Sequence, residues 1–257
     1  MPTSTTMEND QAAAQYRLFS GPSPYSARTP WRPLTAFGVT ATILALTLLG
    51  VSLLWLLTPL KALDGNKMTL ALIVTPIQQV LMIALTWAAA MCYGAKASKL
   101  MALGPPAQGL RAYVVSVLVF VAGVAAMGFI IHFISPDSNK GDIASFQEMF
   151  ASPWWPVALL MVGVGAPISE ELLFRGFLFP AIAQTRIGLW GAAVLTSAVW
   201  AAIHFYSSFG MVQVFVIGML LSWILVRTGS LRVTMFCHAL YNSTLAILMM
   251  SGADSWM

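Results

Sequence analysis

Apolar residues in this chain come in long unbroken runs. They do not alternate as in a half-buried strand, nor form the one-sided stripe of a soluble helix. A polar stretch, 1–32, rich in Ser, Thr, Ala and Pro, comes first. That composition cannot bury a core, so the pattern predicts a disordered tail. The tail is too long and too polar to open a cleaved signal peptide, and the first apolar run reads as a retained anchor. Seven apolar segments follow, at about 33–60, 69–93, 111–135, 154–182, 187–205, 209–226 and 231–250. A run of about 20 apolar residues is what a helix needs to cross a bilayer. The expectation is an all-α protein: a polytopic transmembrane helix bundle of about seven spans over 33–257, behind a cytoplasmic tail over 1–32. Ahead of the fourth span, "KGDIASFQEMFASPWWP" has the polarity of an interfacial helix, and Trp154 and Trp155 suit the headgroup level. The bundle therefore has room for an extra interfacial or re-entrant helix.

Composition agrees with the pattern. The chain is 58% hydrophobic and 9% charged, against about 25% charged in soluble domains. The net charge of +4 points to topology and a lipid bilayer, not to nucleic acid. Nine Lys and Arg fall on one side of the spans (Arg17, Arg28, Arg32, Lys96, Lys99, Arg111, Arg186, Arg227, Arg232). Three fall on the other (Lys61, Lys67, Lys140). That bias predicts a cytoplasmic N-terminus and an outside C-terminus. Compact loops and the lack of an organelle-targeting signal suggest a bacterial inner membrane. Cys92 and Cys237 are isolated in apolar surroundings and read as small buried residues. Gln78 and Gln79 follow Pro76 and could satisfy the carbonyl that the proline frees or line a cavity, the former being favoured.

Few ionisable residues lie within the spans: Glu170, Glu171, Arg175, His132, His204 and His238. Three charges in the fourth span would cost on the order of 8–10 kcal/mol if unpaired, so they must be paired or hydrated. Glu171 and Arg175 are four apart and can pair on one face. Glu170 and Arg175 are five apart, about 140° around an α-helix, which leaves Glu170 presented elsewhere. Pro167 permits a kink, and freed backbone is tolerated at membrane depth where it lines a cavity. In "HALYN", His238 and Asn242 share a face and could donate to an oxyanion or simply hydrogen-bond between helices. In "WAAIH", Trp200 and His204 are again four apart, and His132 lacks any polar neighbour at helical spacing. No GxSxG, HExxH or P-loop occurs, which argues against a serine hydrolase, a zincin or an ATPase.

"EELLFR", "WAAIH" and "HALYN", in that order on separate spans, resemble the EExxxR, FxxxH and HxxxN motifs of one family. It is the CAAX protease and bacteriocin-processing group of intramembrane proteases, also called the abortive-infection family; its eukaryotic member is the CAAX prenyl endopeptidase. The similarity covers about 154–251, with Trp200 where the family usually has Phe. The resemblance implies a membrane-embedded peptidase acting on a membrane-associated or lipidated peptide. Glu170 and His204 would activate water, His238 and Asn242 would form the oxyanion hole, and Glu171, held by Arg175, would orient the site. Trp200 is expected to keep a packing role. Asn242→Ala is expected to cut turnover by about 10²–10³ without unfolding the protein. Glu170, His204 and His238 are also candidate ligands for a divalent metal such as zinc, although a metal-free Glu/His mechanism is favoured and no cofactor is expected. The alternative is a non-catalytic membrane protein of the same fold, such as a self-immunity factor or scaffold. With straight spans, His204 and His238 sit at different depths, so the enzyme reading requires spans that are offset, tilted or broken.

Overall fold

The computed structural model describes residues 22–57, 67–94, 96–136, 138 and 140–251. Among these the chain is helical, without strands. The apolar runs become α1 (Pro33–Leu57), α2 (Lys67–Met91), α4 (Leu110–Ile134), α8 (Ser208–Thr228) and α9 (Leu231–Met250). The motif-bearing run becomes one long helical span, α6 (Trp155–Ala183). Between them lie the short α3 (Ala97–Leu100), the amphipathic α5 (Lys140–Ala151) at the expected interfacial stretch, and α7 (Gly188–Ala202). The protein is an integral membrane helix bundle.

The fifth expected span needs correction. Six described helices are long and apolar enough to cross a membrane, and α7 is not one of them. Its 15 residues reach about 22 Å at the α-helical rise, short of a hydrocarbon core about 30 Å thick. The apolar run extends through Phe205, but the helix stops at Ala202 and the chain turns, with Phe205 at a left-handed φ of 53°. His204 therefore sits in a turn beyond the helix.

Burial identifies the central elements. Half of the α6 and α8 windows is buried, against 22–28% for the other four spans. Leu173, Phe174, Phe177, Leu178 and Phe179 of α6 are all fully buried. Hydroxyls within the bundle bond back along their own helices, as with Thr86 to Met82 O at 2.7 Å and Thr196 to Ala192 O at 2.8 Å. This leaves no hydroxyl proton of these two residues to be satisfied by lipid. Gly229 takes a left-handed φ of 66° and its N–H returns to Leu225 O at 2.8 Å, which turns α8 sharply into α9.

The tail expectation also changes for 22–32; residues 1–21 lie outside the described residues. Trp31 is buried, stacks on Phe177 at 4.7 Å and donates from Nε1 to Phe177 O at 3.0 Å. Gln184 holds the same segment through Thr29 Oγ1 and Trp31 O. Composition averages over a stretch and cannot register one anchoring indole. Of the two cysteines, Cys237 is buried as expected, whereas Cys92 is exposed.

Candidate active site

Two prolines shape α6. Ala166 donates its N–H to Met161 O, one residue further back than in an α-helix, and Met161–Gly165 is a π-helical turn. Val162 O then has no donor in its own helix. Ala166 is already spent, and the next residue in register, Pro167, has no N–H. Asn242 of α9 supplies the missing donor, Nδ2 to Val162 O at 3.0 Å. Gln79 of α2 donates to Met161 O at 3.0 Å. The carbonyl that Gln79 serves is thus on α6, not on its own proline-containing helix. Gly163 and Gly165 make this approach possible, since a Cβ would overlap Ser243 Oγ at the first and the Gln79 carboxamide at the second. Such bulges are frequent at functional sites.

A second π-helical stretch, Glu171–Leu178, precedes Pro180. Glu170 ends an α-turn and Glu171 begins the π-helix, so the two carboxylates part at a change of helix type. Glu171 and Arg175 are both buried, with Arg175 Nη1 donating to Glu171 Oε1 at 3.0 Å. The expected pair therefore forms. The same oxygen takes His238 Nδ1 at 3.3 Å, which turns the imidazole Nε2 edge away from Glu171. Nε and Nη2 of Arg175 have no hydrogen-bond partner among the described residues. The guanidinium instead lies 4.4 Å from the centre of the Trp200 ring, a cation–π contact in a dry setting.

Trp200 joins the pieces. Its Nε1 donates to Glu170 Oε2 at 2.7 Å. Its carbonyl, at the end of α7, accepts from His204 Nδ1 at 2.7 Å. Its ring packs edge-on against His204 at 5.0 Å and His238 at 5.5 Å. One buried indole thus touches Glu170, Arg175, His204 and His238, so both histidines reach the same ring. The packing role expected of Trp200 is there, and a hydrogen bond that Phe could not make is added. The His204 bond places the proton on Nδ1, because a carbonyl can only accept. In the neutral imidazole Nε2 then carries the lone pair. Glu170, His204 and Asn242 are each half-buried, in contrast to Glu171.

The loop after His204 is held by α5. Asp142 accepts from Ser207 Oγ at 2.7 Å and Ser207 N at 3.2 Å, while Ser207 Oγ caps α8 by accepting from Gly210 N at 3.1 Å. Tyr206 packs 5.3 Å from the His204 ring. Burial first, then the charges of Glu170 and Asp142, raises the Tyr206 hydroxyl well above its ordinary range, so it stays protonated. Sequence reasoning missed Tyr206, Asp142 and the hydrogen bond of Trp200. The last had a usable signal: a tryptophan buried at membrane depth needs an acceptor for its N–H. His132 is exposed and takes no part.

The candidate metal set does not converge. Among the described residues no group of three or more His, Cys, Asp and Glu could hold a metal ion. His238 faces Glu171, Glu170 accepts from Trp200, and the indole packs against both imidazoles. These side chains do not fit a three-ligand zinc site.

Residues 152–244 match the family model described as type II CAAX prenyl endopeptidase Rce1-like. This stretch holds all three motifs, and the resemblance read from them is borne out. At the level of the family the match is to CAAX-type intramembrane proteases. A curated relative, the UPF0177 protein YxdF of Lactococcus lactis subsp. lactis (strain IL1403), is 22% identical over 130 residues. The alignment covers 51% of this chain and 64% of that relative's length. No solved structure matches the chain.

Proposed function

We propose that this chain, whose motif-bearing part matches the CAAX prenyl endopeptidase model, is an intramembrane endopeptidase that hydrolyses a membrane-associated or lipidated peptide. The observation that carries the reading is the bridge at Trp200, which fixes Glu170 by its indole and His204 by its carbonyl. Glu170 and His204 act on one water. The water oxygen attacks the peptide carbonyl carbon, and its proton passes to the Glu170 carboxylate or to His204 Nε2. Proton transfer of this kind contributes about 10²–10⁴ in rate. The carbonyl oxygen becomes an oxyanion, facing His238 and the second amide hydrogen of Asn242; the first is held by Val162 O. For His238 to donate from Nε2 while Nδ1 faces Glu171, the imidazole must carry both protons. The tetrahedral intermediate collapses, the C–N bond breaks, and the stored proton goes to the leaving amine. Glu170 is at the middle of the α6 span, so the substrate must reach apolar depth, which suits a lipidated or strongly apolar peptide.

The test is cleavage of a membrane-anchored peptide library by purified full-length protein, read by mass spectrometry. Wild type should release defined fragments, and Glu170→Ala should be slower by about 10²–10⁴ while still folding, with a stability loss of about 1–3 kcal/mol for the Trp200 N–H left without its acceptor. Wild-type rates from Glu170→Ala would end the assignment.

A further inference from the structure

The end of the bundle opposite the His204 loop carries a cleft that the peptidase reading does not use. It has a volume of about 430 Å³ and is walled by three separate segments. Ser26 and Arg28 come from the segment before α1, Ser98 and Lys99 from α3, and Gly229 and Arg232 from the α8–α9 turn. The walls are tied together. Ser23 Oγ donates to Val226 O at 2.5 Å, Ser230 Oγ to Gly104 O at 2.6 Å, and Leu231 N to Ala102 O at 2.8 Å. The concavity is therefore built by the fold rather than assembled from loose side chains.

Its charge is one-sided. The described carboxylates are Asp142, Glu148, Glu170 and Glu171, and none lies at this end. Arg28, Lys99 and Arg232 form no ion pair among the described residues. Topology alone would ask for basic residues on this side, but not for three of them converging from three segments on one cleft beside two serine hydroxyls. That chemistry is a receptor for a phosphate group, since cations and hydroxyls both donate to its oxygens.

The adjoining surface selects the source of the phosphate. Arg232, Phe236 and Leu240 are four apart on α9 and share one face. Phe236 is 47% and Leu240 40% exposed, so an apolar track descends from the cleft along the outside of the span. A free phosphate would have no use for that track, whereas a phospholipid fills both: head in the cleft, acyl chains along α9. Basic pockets between spans are known to take anionic headgroups. We infer that the cleft at Arg28, Lys99 and Arg232 binds one anionic phospholipid by its headgroup phosphate.

The test is native mass spectrometry of the full-length protein in detergent, titrated with dioleoylphosphatidylglycerol or dioleoylphosphatidylcholine. Each basic side chain near an anionic lipid is worth about fivefold in affinity. Combined Arg28→Gln, Lys99→Gln and Arg232→Gln should therefore weaken phosphatidylglycerol on the order of 100-fold, and Lys99→Gln alone about fivefold. A control with Lys96→Gln, Arg111→Gln and Arg186→Gln removes equal charge at the same end but outside the cleft, and should change binding less than about fivefold. Equal losses in the two triple variants, or equal retention of the two lipids, would overturn the site. Full displacement of phosphatidylglycerol by millimolar inorganic phosphate would overturn the lipid as its source. All six side chains are exposed, so folding is expected to survive, with thermal unfolding in the same detergent as the check.

Discussion

Glu170 and Glu171 are consecutive, yet they belong to two different regions. Glu171 sits in a closed cluster with Arg175 and His238, all three buried. Glu170 sits in an open cluster with Trp200 and His204, where the carboxylate and the imidazole are half-buried. The closed cluster is an ion pair with a histidine attached. Its charges can be lost only at the expense of the fold. In the open cluster Glu170 keeps one hydrogen bond among the described residues, so it can be rearranged around a water. The contrast teaches that adjacency in sequence says little about role here. The change from α- to π-helix at residue 171 sends the Glu171 carboxylate inward and leaves that of Glu170 half-buried.

The comparison breaks most visibly if the closed cluster is opened. Removing one partner of a buried pair leaves an uncompensated charge and costs about 3–5 kcal/mol. Arg175→Ala strands Glu171 in this way and also removes the cation from the Trp200 face. The expected outcome is a stability loss of about 3–5 kcal/mol in mixed-micelle unfolding, with little folded protein recovered. A variant as stable as wild type would show that the pair is hydrated, and the division between the two clusters would fall.

Asn242, one turn beyond His238 on α9, sharpens the contrast. The sequence leaves it two roles, oxyanion donor or interhelical hydrogen bond, and the family resemblance implies that its loss spares the fold. The structure shows the interhelical bond, because its Nδ2 is the donor that Val162 O finds. Asn242→Ala leaves a half-buried carbonyl without a partner, which costs about 1–3 kcal/mol. It should lower both stability and turnover. Asn242→Asp removes the amide donor at similar volume and should behave alike, whereas Asn242→Gln can recover part of the stability if its longer amide reaches Val162 O. Unfolding and cleavage measured on the same preparations separate these outcomes. Loss of turnover with unchanged stability would return Asn242 to the purely chemical role.

What was legible in the sequence follows from locality. Long apolar runs specify spans without reference to the rest of the chain, and α1, α2, α4, α6, α8 and α9 all lie where the runs lie. The Glu171–Arg175 pair was legible because both partners sit on one helix. It forms even though the segment is π-helical, where the α-helical phase used to separate Glu170 does not hold. The end of α7 was not legible, since a left-handed Phe205 leaves no mark in hydropathy. Nor were the partners of Gln79 and Asn242, whose acceptors on α6 are 82 and 80 residues away, the second being freed only because the helix departs from α-geometry. The segment 22–32 was misjudged for the same reason: Trp31 finds its acceptor 146 residues along the chain.

The smallest expected effect tests the open cluster by itself. Trp200→Phe restores the residue type that the related motif usually carries and keeps an aromatic ring near Arg175 and both histidines. It removes only the indole N–H, and with it the 2.7 Å bond to Glu170 Oε2. Because Glu170 is half-buried, water can take over as donor, so the stability change should be about 1 kcal/mol or less. Turnover should fall on the order of 10-fold, the scale of a small misplacement of a reacting group. A double-mutant cycle with Glu170→Ala, which removes the acceptor, read by unfolding, isolates the bond from the ring. Coupling of about 0.5 kcal/mol or more is expected if the indole positions the carboxylate. A vanishing coupling with full turnover would mean that Trp200 serves only as packing, and that Glu170 is positioned by something other than its one described hydrogen bond.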